Sequence, residues 1–343
     1  MSAGANLTSA GAIPAGGLLE VENLQVEFDT WDGRVRVIES LDFSLAAGEM
    51  LCFVGESGCG KSMTALAVMG LVPQPTGHIT AGSVRFLGED LVRAGAARLQ
   101  QVRGNEISMI FQEPMTSLNP VYTVGEQIAE ALRLHKGLAR AAARERAVEM
   151  LRAVHIPEPE RRVEEYPHQF SGGMRQRVMI AIALACEPRI LIADEPTTAL
   201  DVTVQAQIFD LLEELRETRG TAIVLITHDM GAVAEMADRV IVMYAGRKVE
   251  EGGVQDILER PAHPYTHGLL ACRPTLVLGD LGARGELAEI PGVVPPLHQM
   301  GAGCAFAPRC GRVLPRCHAN APPRTALAAG HAAACWLLER SRP

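Results

Sequence analysis

Glycines, a lysine and a hydroxyl residue are closely spaced between positions 55 and 62. The segment Gly55-Glu56-Ser57-Gly58-Cys59-Gly60-Lys61-Ser62 fits the phosphate-binding pattern G-x-x-x-x-G-K-[ST]. Its glycines allow the backbone N–H groups to point at a phosphate, Lys61 adds a positive charge, and Ser62 offers a hydroxyl to Mg²⁺. A helix that starts here directs its positive end at the same anion. The segment predicts a nucleotide site, with the candidate binding residues Gly55, Ser57, Gly58, Cys59, Gly60, Lys61, Ser62 and Met63.

Two further segments carry groups that suit phosphate chemistry. Asp194 and Glu195 end the apolar run Ile190-Leu191-Ile192-Ala193, where Asp194 is placed to hold Mg²⁺. Ser171 is a good helix N-cap, and the two glycines after it expose backbone amides to an anion. The predicted binding set is extended by Ser171, Gly172, Gly173, Met174 and Asp194.

A phosphate loop, then Ser-Gly-Gly, then four apolar residues ending in Asp-Glu resembles the ATP-binding cassette (ABC) ATPases. The resemblance implies that Glu195 deprotonates the attacking water and that Asp201, in Thr197 to Asp201, communicates across a dimer. It implies that Gln112 contacts Mg²⁺ or water and that His228 holds the γ-phosphate, so that the predicted catalytic set is Glu195, His228, Gln112 and Lys61. Two residues depart from the commonest pattern, since the chain has Phe170 in place of Leu and Met174 in place of Gln.

The aromatic residue that stacks on adenine is left between two candidates. Trp31 and Phe28 both lie at a plausible distance before the phosphate loop. We favour Trp31, because packing in the core is a sufficient explanation for Phe28.

The elements that must position these groups are those of an α/β fold. Met50 to Val54 is an apolar run that leads into the glycine loop, which predicts a buried strand, the loop and then a helix from Ser62 to Met69. Further strands are predicted at 18–29, 35–45, 83–87, 107–111, 190–193 and 222–226, and a hairpin is predicted at 240–250. The resemblance implies a P-loop ABC cassette with a RecA-like core and an N-terminal antiparallel β subdomain.

Composition divides the chain into three parts. Residues 1–17 are predicted to be a disordered tail, 18–260 an ATPase domain, and 261–343 a loop-rich C-terminal extension. Within the ATPase domain, residues of about 115–185 are rich in Ala, Glu, Arg and Leu and predict an inserted helical subdomain. A Pro- and Gly-rich boundary near Arg260 marks the start of the extension.

Bulk properties exclude some classes of function. The chain has 343 residues, 48% of them hydrophobic, and a net charge of −8, which argues against a nucleic-acid partner. No apolar run reaches the ~18 residues that a membrane span needs.

Four segments sharpen the resemblance to the ATP-binding subunits of bacterial dipeptide/oligopeptide permeases. These are Phe111 to Pro120, Ser171 to Gln207, His263-Pro264-Tyr265-Thr266 followed by Leu269-Leu270, and Ile290 to Pro295 with Gly303 to Cys310. The resemblance implies a peripheral protein at the cytoplasmic face of the cell membrane, with ATP and Mg²⁺ as cofactors. It also implies two transmembrane permease subunits, a second homologous ATPase, and an extracytoplasmic peptide-binding protein that acts indirectly. The cargo stays open among dipeptides, longer peptides, glutathione and a nickel chelate.

Four of the eight cysteines are crowded near the C-terminus, at Cys304, Cys310, Cys317 and Cys335. No C-x2-C pair is present, which departs from zinc knuckles and from ferredoxin motifs. Four thiols in a loop-rich segment still favour a metal that replaces a missing core. A [4Fe–4S] cluster, which the resemblance favours, zinc and free thiols all stay open, and His318 and His331 are possible substitute ligands.

Two other classes of function compete with peptide import. A soluble ABC protein acting on ribosomes or DNA typically has two cassettes or a long coiled-coil insertion, and the sequence shows neither. A metal-sensing regulator with secondary ATPase activity would need transport that depends on the redox state of the cysteine site.

Overall fold

The computed structural model describes residues 17–31, 33–112, 117–197, 200–272 and 289–341. The predicted disordered tail lies almost entirely outside these residues. The described strands are β1 (Leu19–Thr30), β2 (Gly33–Leu45), β3 (Met50–Val54), β4 (Gly77–Phe86), β5 (Glu89–Asp90), β6 (Ile107–Ile110), β7 (Ile190–Asp194), β8 (Ala222–Ile226), β9 (Arg239–Tyr244), β10 (Arg247–Gly253), β11 (Arg324–Ala328) and β12 (His331–Ala334). The described α-helices are α1 (Lys61–Val68), α2 (Ala96–Val102), α3 (Val124–Lys136), α4 (Arg140–Ala153), α5 (Pro159–Arg162), α6 (Gly172–Leu184), α7 (Val202–Arg219), α8 (Met230–Met236), α9 (Val254–Glu259), α10 (Pro264–Ala271) and α11 (Pro315–Ala319).

A central sheet positions the predicted site. Its strand order is β11-β12-β10-β9-β3-β8-β7-β6, and the strands from β9 to β6 run parallel. Every residue of β3, β6, β7 and β8 is buried, as expected for apolar strands covered on both faces. Because parallel strands end at the same edge, the segments after β3, β6, β7 and β8 meet there.

Alternation along β3 divides the core into two apolar layers. Met50, Cys52 and Val54 join the layer that contains the helical insertion. Leu51 and Phe53 join the layer that contains the N-terminal sheet, whose strand order is β2-β1-β4-β5. The predicted antiparallel β subdomain is therefore confirmed, although β4 begins at Gly77, six residues before the predicted start at Ser83. The early residues pair with β1, where Phe28 opposes Gly77.

The region from Val124 to Leu184 is helical, as the composition predicted. Helices α3, α4 and α6 bury aliphatic residues such as Ile128, Leu151 and Ile180 against one another and against the central sheet. Residues 113–116 of the segment after β6 lie outside the described part of the chain.

The C-terminal extension has more regular structure than the sequence indicated. Its hairpin β11–β12 joins the central sheet, because β12 pairs antiparallel with β10 at Glu250↔Ala333 and Glu251↔Ala332. Alanine-rich strands carry little β propensity, so only the tertiary pairing with β10 reveals them. Residues 273–288, which precede this part, are outside the described ranges.

Candidate functional site

The phosphate loop follows β3 and its backbone requires glycine at two points. Gly55 has φ 149°, and a Cβ there would lie 2.3 Å from the carbonyl oxygen of Met243. Gly60, with φ 100°, is the N-cap of α1 in the left-handed region. These positions therefore accept glycine alone, which explains the glycine spacing physically.

Lys61 and Ser62 begin α1 under the sheet edge. The Lys61 side chain is buried, and Nζ donates to the carbonyl oxygens of Gly55 at 2.7 Å and Glu56 at 3.1 Å. Cys59 is buried at 1% exposure with Sγ 3.7 Å from Nζ, and burial raises the pKa of its thiol. The lysine is thus held within the loop, where a phosphate would replace the carbonyl groups as its partner.

Ser62 and Asp194 come together across the sheet edge. Ser62 Oγ donates to Asp194 Oδ1 at 3.0 Å, although the two residues are 132 positions apart. Burial raises the pKa of the Asp194 carboxyl, while the Ser62 hydrogen bond opposes that rise. A buried carboxylate beside a hydroxyl offers the hard oxygen ligands that Mg²⁺ prefers.

Glu195 lies at the centre of the predicted catalytic set. Gln112 Nε2 donates to Glu195 Oε2 at 3.1 Å, and His228 Nδ1 lies 3.5 Å from Oε1. Glu195 has φ 48°, and its N–H donates to the carbonyl oxygen of Ile226. The ends of β6, β7 and β8 thus bring Gln112, Glu195 and His228 into contact.

The Ser-Gly-Gly segment opens α6 on an exposed surface. Ser171 is the N-cap, and its side chain accepts a hydrogen bond from the Met174 N–H at 3.3 Å. A Cβ at Gly172 would contact nothing within 4 Å, whereas one at Gly173 would lie 3.0 Å from Val204. Gly172 therefore presents its backbone to an open surface, and Gly173 permits close packing on α7.

Two other predicted residues lie at the surface. Asp201 is the N-cap of α7, where its side chain accepts from Val204 N–H at 2.9 Å. Trp31 is fully exposed at the turn between β1 and β2, while Phe28 packs against the N-terminal layer of the core. Thr198 and Ala199 of the segment before Asp201 lie outside the described residues.

Three contacts to the phosphate loop were not anticipated from the sequence. Arg309 of the extension forms a forked ion pair with Glu56, with Nη1 2.6 Å from Oε2 and Nη2 2.9 Å from Oε1. The Glu56 N–H donates to the hydroxyl of Tyr265 at 2.8 Å. Both partners lie in segments singled out for their resemblance, but nothing in the spacing indicated a role at the loop.

The four late cysteines lie close enough to influence one another electrostatically. Burial raises the pKa of the thiols of Cys304, Cys310 and Cys335, and neighbouring cysteines add to the rise. Cys317 Sγ accepts a hydrogen bond from Leu314 N–H at 3.4 Å. Within the described residues, however, no group of three or more His, Cys, Asp or Glu side chains could hold a metal ion. The expected zinc or iron–sulfur ligation is therefore without support from the side-chain positions.

Comparisons with known proteins match this geometry. Residues 38–198 match the ABC transporter family, and residues 249–317 match the family described as the oligopeptide/dipeptide transporter, C-terminal region. The chain resembles the dimeric ATP-binding cassette MJ0796, solved bound to ADP and Pi, with a TM-score of 0.62, 29% identity and coverage of 69% of this chain and 98% of that chain.

Curated relatives are similar over nearly the whole length. A probable peptide ABC transporter ATP-binding protein, y4tR of Sinorhizobium fredii, is 52% identical over 93% of this chain and 94% of its own. The oligopeptide transport ATP-binding proteins OppD of Bacillus subtilis and Salmonella typhimurium are 50% and 52% identical, over 95% and 94% of this chain and 90% and 94% of their own. The chain therefore belongs to the family of ABC transporter ATP-binding proteins that carry the oligopeptide/dipeptide transporter C-terminal region.

Proposed function

We propose that this chain is the ATPase subunit of an ABC importer, in which ATP binding and hydrolysis drive the uptake of dipeptides or oligopeptides. The observation that carries the proposal is the convergence of Ser62 with Asp194, and of Gln112 and His228 with Glu195, at one edge of the sheet. The names of the curated relatives point to peptides as the class of cargo.

The residues divide the chemistry among them. The loop amides and Lys61 bind the β- and γ-phosphates, and Ser62 and Asp194 are the residues that hold Mg²⁺. The metal, when bound, neutralises charge that develops on the transferred phosphoryl group. Glu195 accepts a proton from the attacking water, and Gln112 and His228 orient its carboxylate. Catalysis then rests on positioning and on preorganised charge.

A second cassette completes the site in this proposal. Ser171 caps the start of α6 and Gly172 faces open space, so the first backbone amides of this helix suit a γ-phosphate bound by a partner. A homologous but different ATPase is the expected partner, and Asp201 is exposed at the start of α7, the helix on which Gly173 packs.

The permease subunits are expected to dock on the helical region. An open groove of about 540 Å³ is lined by Val121, Tyr122, Arg133 and Tyr166. Three of these side chains are among the large exposed apolar ones of the described residues, Val121 at 70%, Tyr122 at 54% and Tyr166 at 40%. Such a mixed apolar and charged groove suits a short helix from a membrane subunit. No helix in the described ranges is long and apolar enough to cross a membrane. We propose that the chain binds peripherally at the cytoplasmic face, where ATP is available.

We also propose that Cys304, Cys310, Cys317 and Cys335 are the ligands of a [4Fe–4S] cluster. The described side chains do not form a ready metal site, so the proposal rests on the resemblance to the permease family and on the electrostatic proximity of the thiols. Burial raises the thiol pKa values of Cys304, Cys310 and Cys335, and backbone N–H groups at Phe306, Arg312 and Leu337 oppose that rise, as donors that stabilise an iron-bound thiolate do. Anaerobically purified protein is expected to contain about four irons per chain, and stoichiometric zinc or four freely alkylated thiols would refute the cluster.

The transport function is tested with the complete importer in lipid vesicles. Two permease subunits, both ATPases and a peptide-loaded binding protein should together give peptide uptake that depends on ATP, with hydrolysis stimulated by the loaded binding protein. Uptake of a nickel chelate or glutathione with no uptake of peptides would refute the proposed cargo. An absence of ATP hydrolysis in the complete complex would refute the ATPase function itself.

A further inference from the structure

The phosphate loop is held from outside the cassette at Glu56. This residue follows Gly55 directly, so its backbone is part of the phosphate cradle. Its carboxylate accepts hydrogen bonds from both Nη atoms of Arg309, and its N–H donates to the Tyr265 hydroxyl. Main chain and side chain of one loop residue are therefore both bound by residues that lie more than 200 positions away in sequence.

Arg309 is built into its position. Its side chain is 4% exposed and lies at the end of a 3₁₀ turn, Ala307–Arg309. Nε donates to the carbonyl oxygen of Pro291 at 2.8 Å, Nη2 to that of Ile290 at 3.2 Å, and Nη1 lies 3.4 Å from the Tyr244 hydroxyl. The fork of a guanidinium matches a carboxylate in this way, and a lysine cannot reproduce the geometry.

The seat of Arg309 is an aromatic cluster that joins the extension to the sheet. Tyr244 at the end of β9 packs edge-on against Tyr265 and Phe306, with ring centroids 4.7 Å and 5.2 Å apart. Tyr244 and Tyr265 are fully buried, and Phe306 is 4% exposed. The turn that carries Arg309 is also flanked by Cys304 and Cys310. The position of the Arg309 guanidinium therefore depends on how the extension packs against the central sheet.

The carboxylate of Glu56 and the phosphates of ATP carry charges of the same sign. A carboxylate in a phosphate-binding loop repels ATP unless it is neutralised, and the repulsion acts over several ångströms in a partly buried site. Arg309 supplies the neutralising charge, and its hydrogen bond to Glu56 is the main cause of the raised pKa of Arg309. Within the part of the chain that the structure describes, Glu56 forms its ion pair with Arg309.

We propose that Arg309 is a positioning residue of the ATP site, which neutralises Glu56 and fixes the phosphate loop so that ATP affinity depends on the seating of the C-terminal extension. The inference rests on the proposed ATPase function and assigns part of the ATP-binding energy to the extension. Its prediction is a change in nucleotide affinity that is separate from the chemical step.

The test measures ATP binding to the full-length chain by calorimetry and ATP turnover in the complete importer. Arg309→Met should raise Kd and KM for ATP about 10-fold and change kcat by less than about 2-fold, since Glu195 and its partners are untouched. Glu56→Gln should not weaken ATP binding, because it removes a negative charge. The double variant Glu56→Gln/Arg309→Met should return Kd to within about 3-fold of the parent value, a rescue that a purely structural role of Arg309 would not give.

Arg324→Met is the matched control. Arg324 also joins the extension to the core, through an ion pair with Glu251 of β10. This ion pair does not involve the phosphate loop. This variant should leave Kd unchanged. If Arg309→Met fails to fold, Arg309→Lys keeps the charge without the fork and should show a smaller rise in Kd that Glu56→Gln again removes.

The outcomes separate the inference from the function on which it rests. If the parent protein binds ATP and Arg309→Met binds it equally well, the inference fails and the ATPase function stands. If the double variant is as weak as Arg309→Met, the neutralising role is refuted. If the parent protein itself does not bind ATP, the proposed function fails first.

Discussion

The hydrolysis site and the C-terminal extension reach the same nucleotide pocket by different means. Ser62, Asp194, Glu195 and His228 are placed by backbone, since each lies within one or two residues of the end of a buried parallel strand or at the start of the helix after the loop. The extension reaches the pocket with long side chains, the guanidinium of Arg309 and the phenol of Tyr265.

This difference suggests that the first region controls the rate of hydrolysis and the second controls the affinity for ATP. Groups fixed by strand ends keep their geometry as long as the sheet is folded, which suits the proton transfer and metal binding that hydrolysis needs. Side chains borrowed from another segment hold the loop only while that segment is docked. We therefore expect substitutions in the first region to act on kcat and substitutions in the second to act on ATP binding and on the docking of the extension.

The largest expected effect tests the first region. Glu195→Gln should lower kcat for ATP hydrolysis about 10²- to 10⁴-fold, the range for loss of a general base. Binding of ATP should be retained, because the loop and Lys61 are unchanged, and the ATP-bound dimer should persist. Steady-state turnover of the complete importer and ATP titration measure the two quantities.

The control for this variant is Glu213→Gln, which alters a surface carboxylate on α7 that pairs with Arg216. It should leave turnover unchanged. A Glu195→Gln enzyme with near-normal kcat would place the general base at another residue. If this variant bound ATP more weakly, the two regions would no longer differ in their effects on turnover and on ATP binding.

A smaller effect concerns the attachment of the extension and its dependence on pH. His263 is buried as the N-cap of α10, its Nδ1 accepts from Tyr265 N–H at 3.0 Å, and burial lowers its pKa to about 4. Between this value and the ordinary value near 6.5, the unfolded chain binds a proton that the folded chain excludes. Stability should therefore be complete above about pH 6.5 and fall as the pH is lowered towards 4, by about 3 kcal/mol from this group.

Urea unfolding at pH 7.5 and pH 4.5, compared between the parent and His263→Asn, isolates this contribution. Asparagine keeps an N-cap acceptor and does not titrate, so the variant should lose less stability on acidification. His331 pairs with Glu250 at 2.9 Å in the parent and is unchanged in the variant, so it does not affect the comparison. An equal pH dependence of the unfolding free energy in the two proteins would show that His263 does not contribute to the loss of stability at low pH.

Much of the ATP site could be predicted because its geometry is local. The loop between β3 and α1 needs glycine where φ is positive and a Cβ would collide with Met243. The glycines in the sequence therefore indicate this backbone conformation directly. The resemblance named Gln112, Asp194 and His228 as site residues, and the parallel arrangement of their strands brings all three to one edge of the sheet. The prediction of Trp31 as the adenine-stacking residue stays a prediction, since full exposure at a turn does not choose between Trp31 and Phe28.

The extension could not be predicted in the same way. Its strands β11 and β12 are short and rich in alanine, and they become strands through pairing with β10.

The sequence by itself determined the family, the phosphate loop and the residues at the strand ends, because those features are set by backbone conformation and by short-range order. Only the tertiary structure decided that the extension holds the loop at Glu56. The ion pair between Glu56 and Arg309 joins residues 253 positions apart, and neither an ion pair nor a buried phenol leaves a periodic pattern in the sequence. Such a contact is specified by the packing of Tyr244, Tyr265 and Phe306, which exists only when the extension is folded onto the sheet.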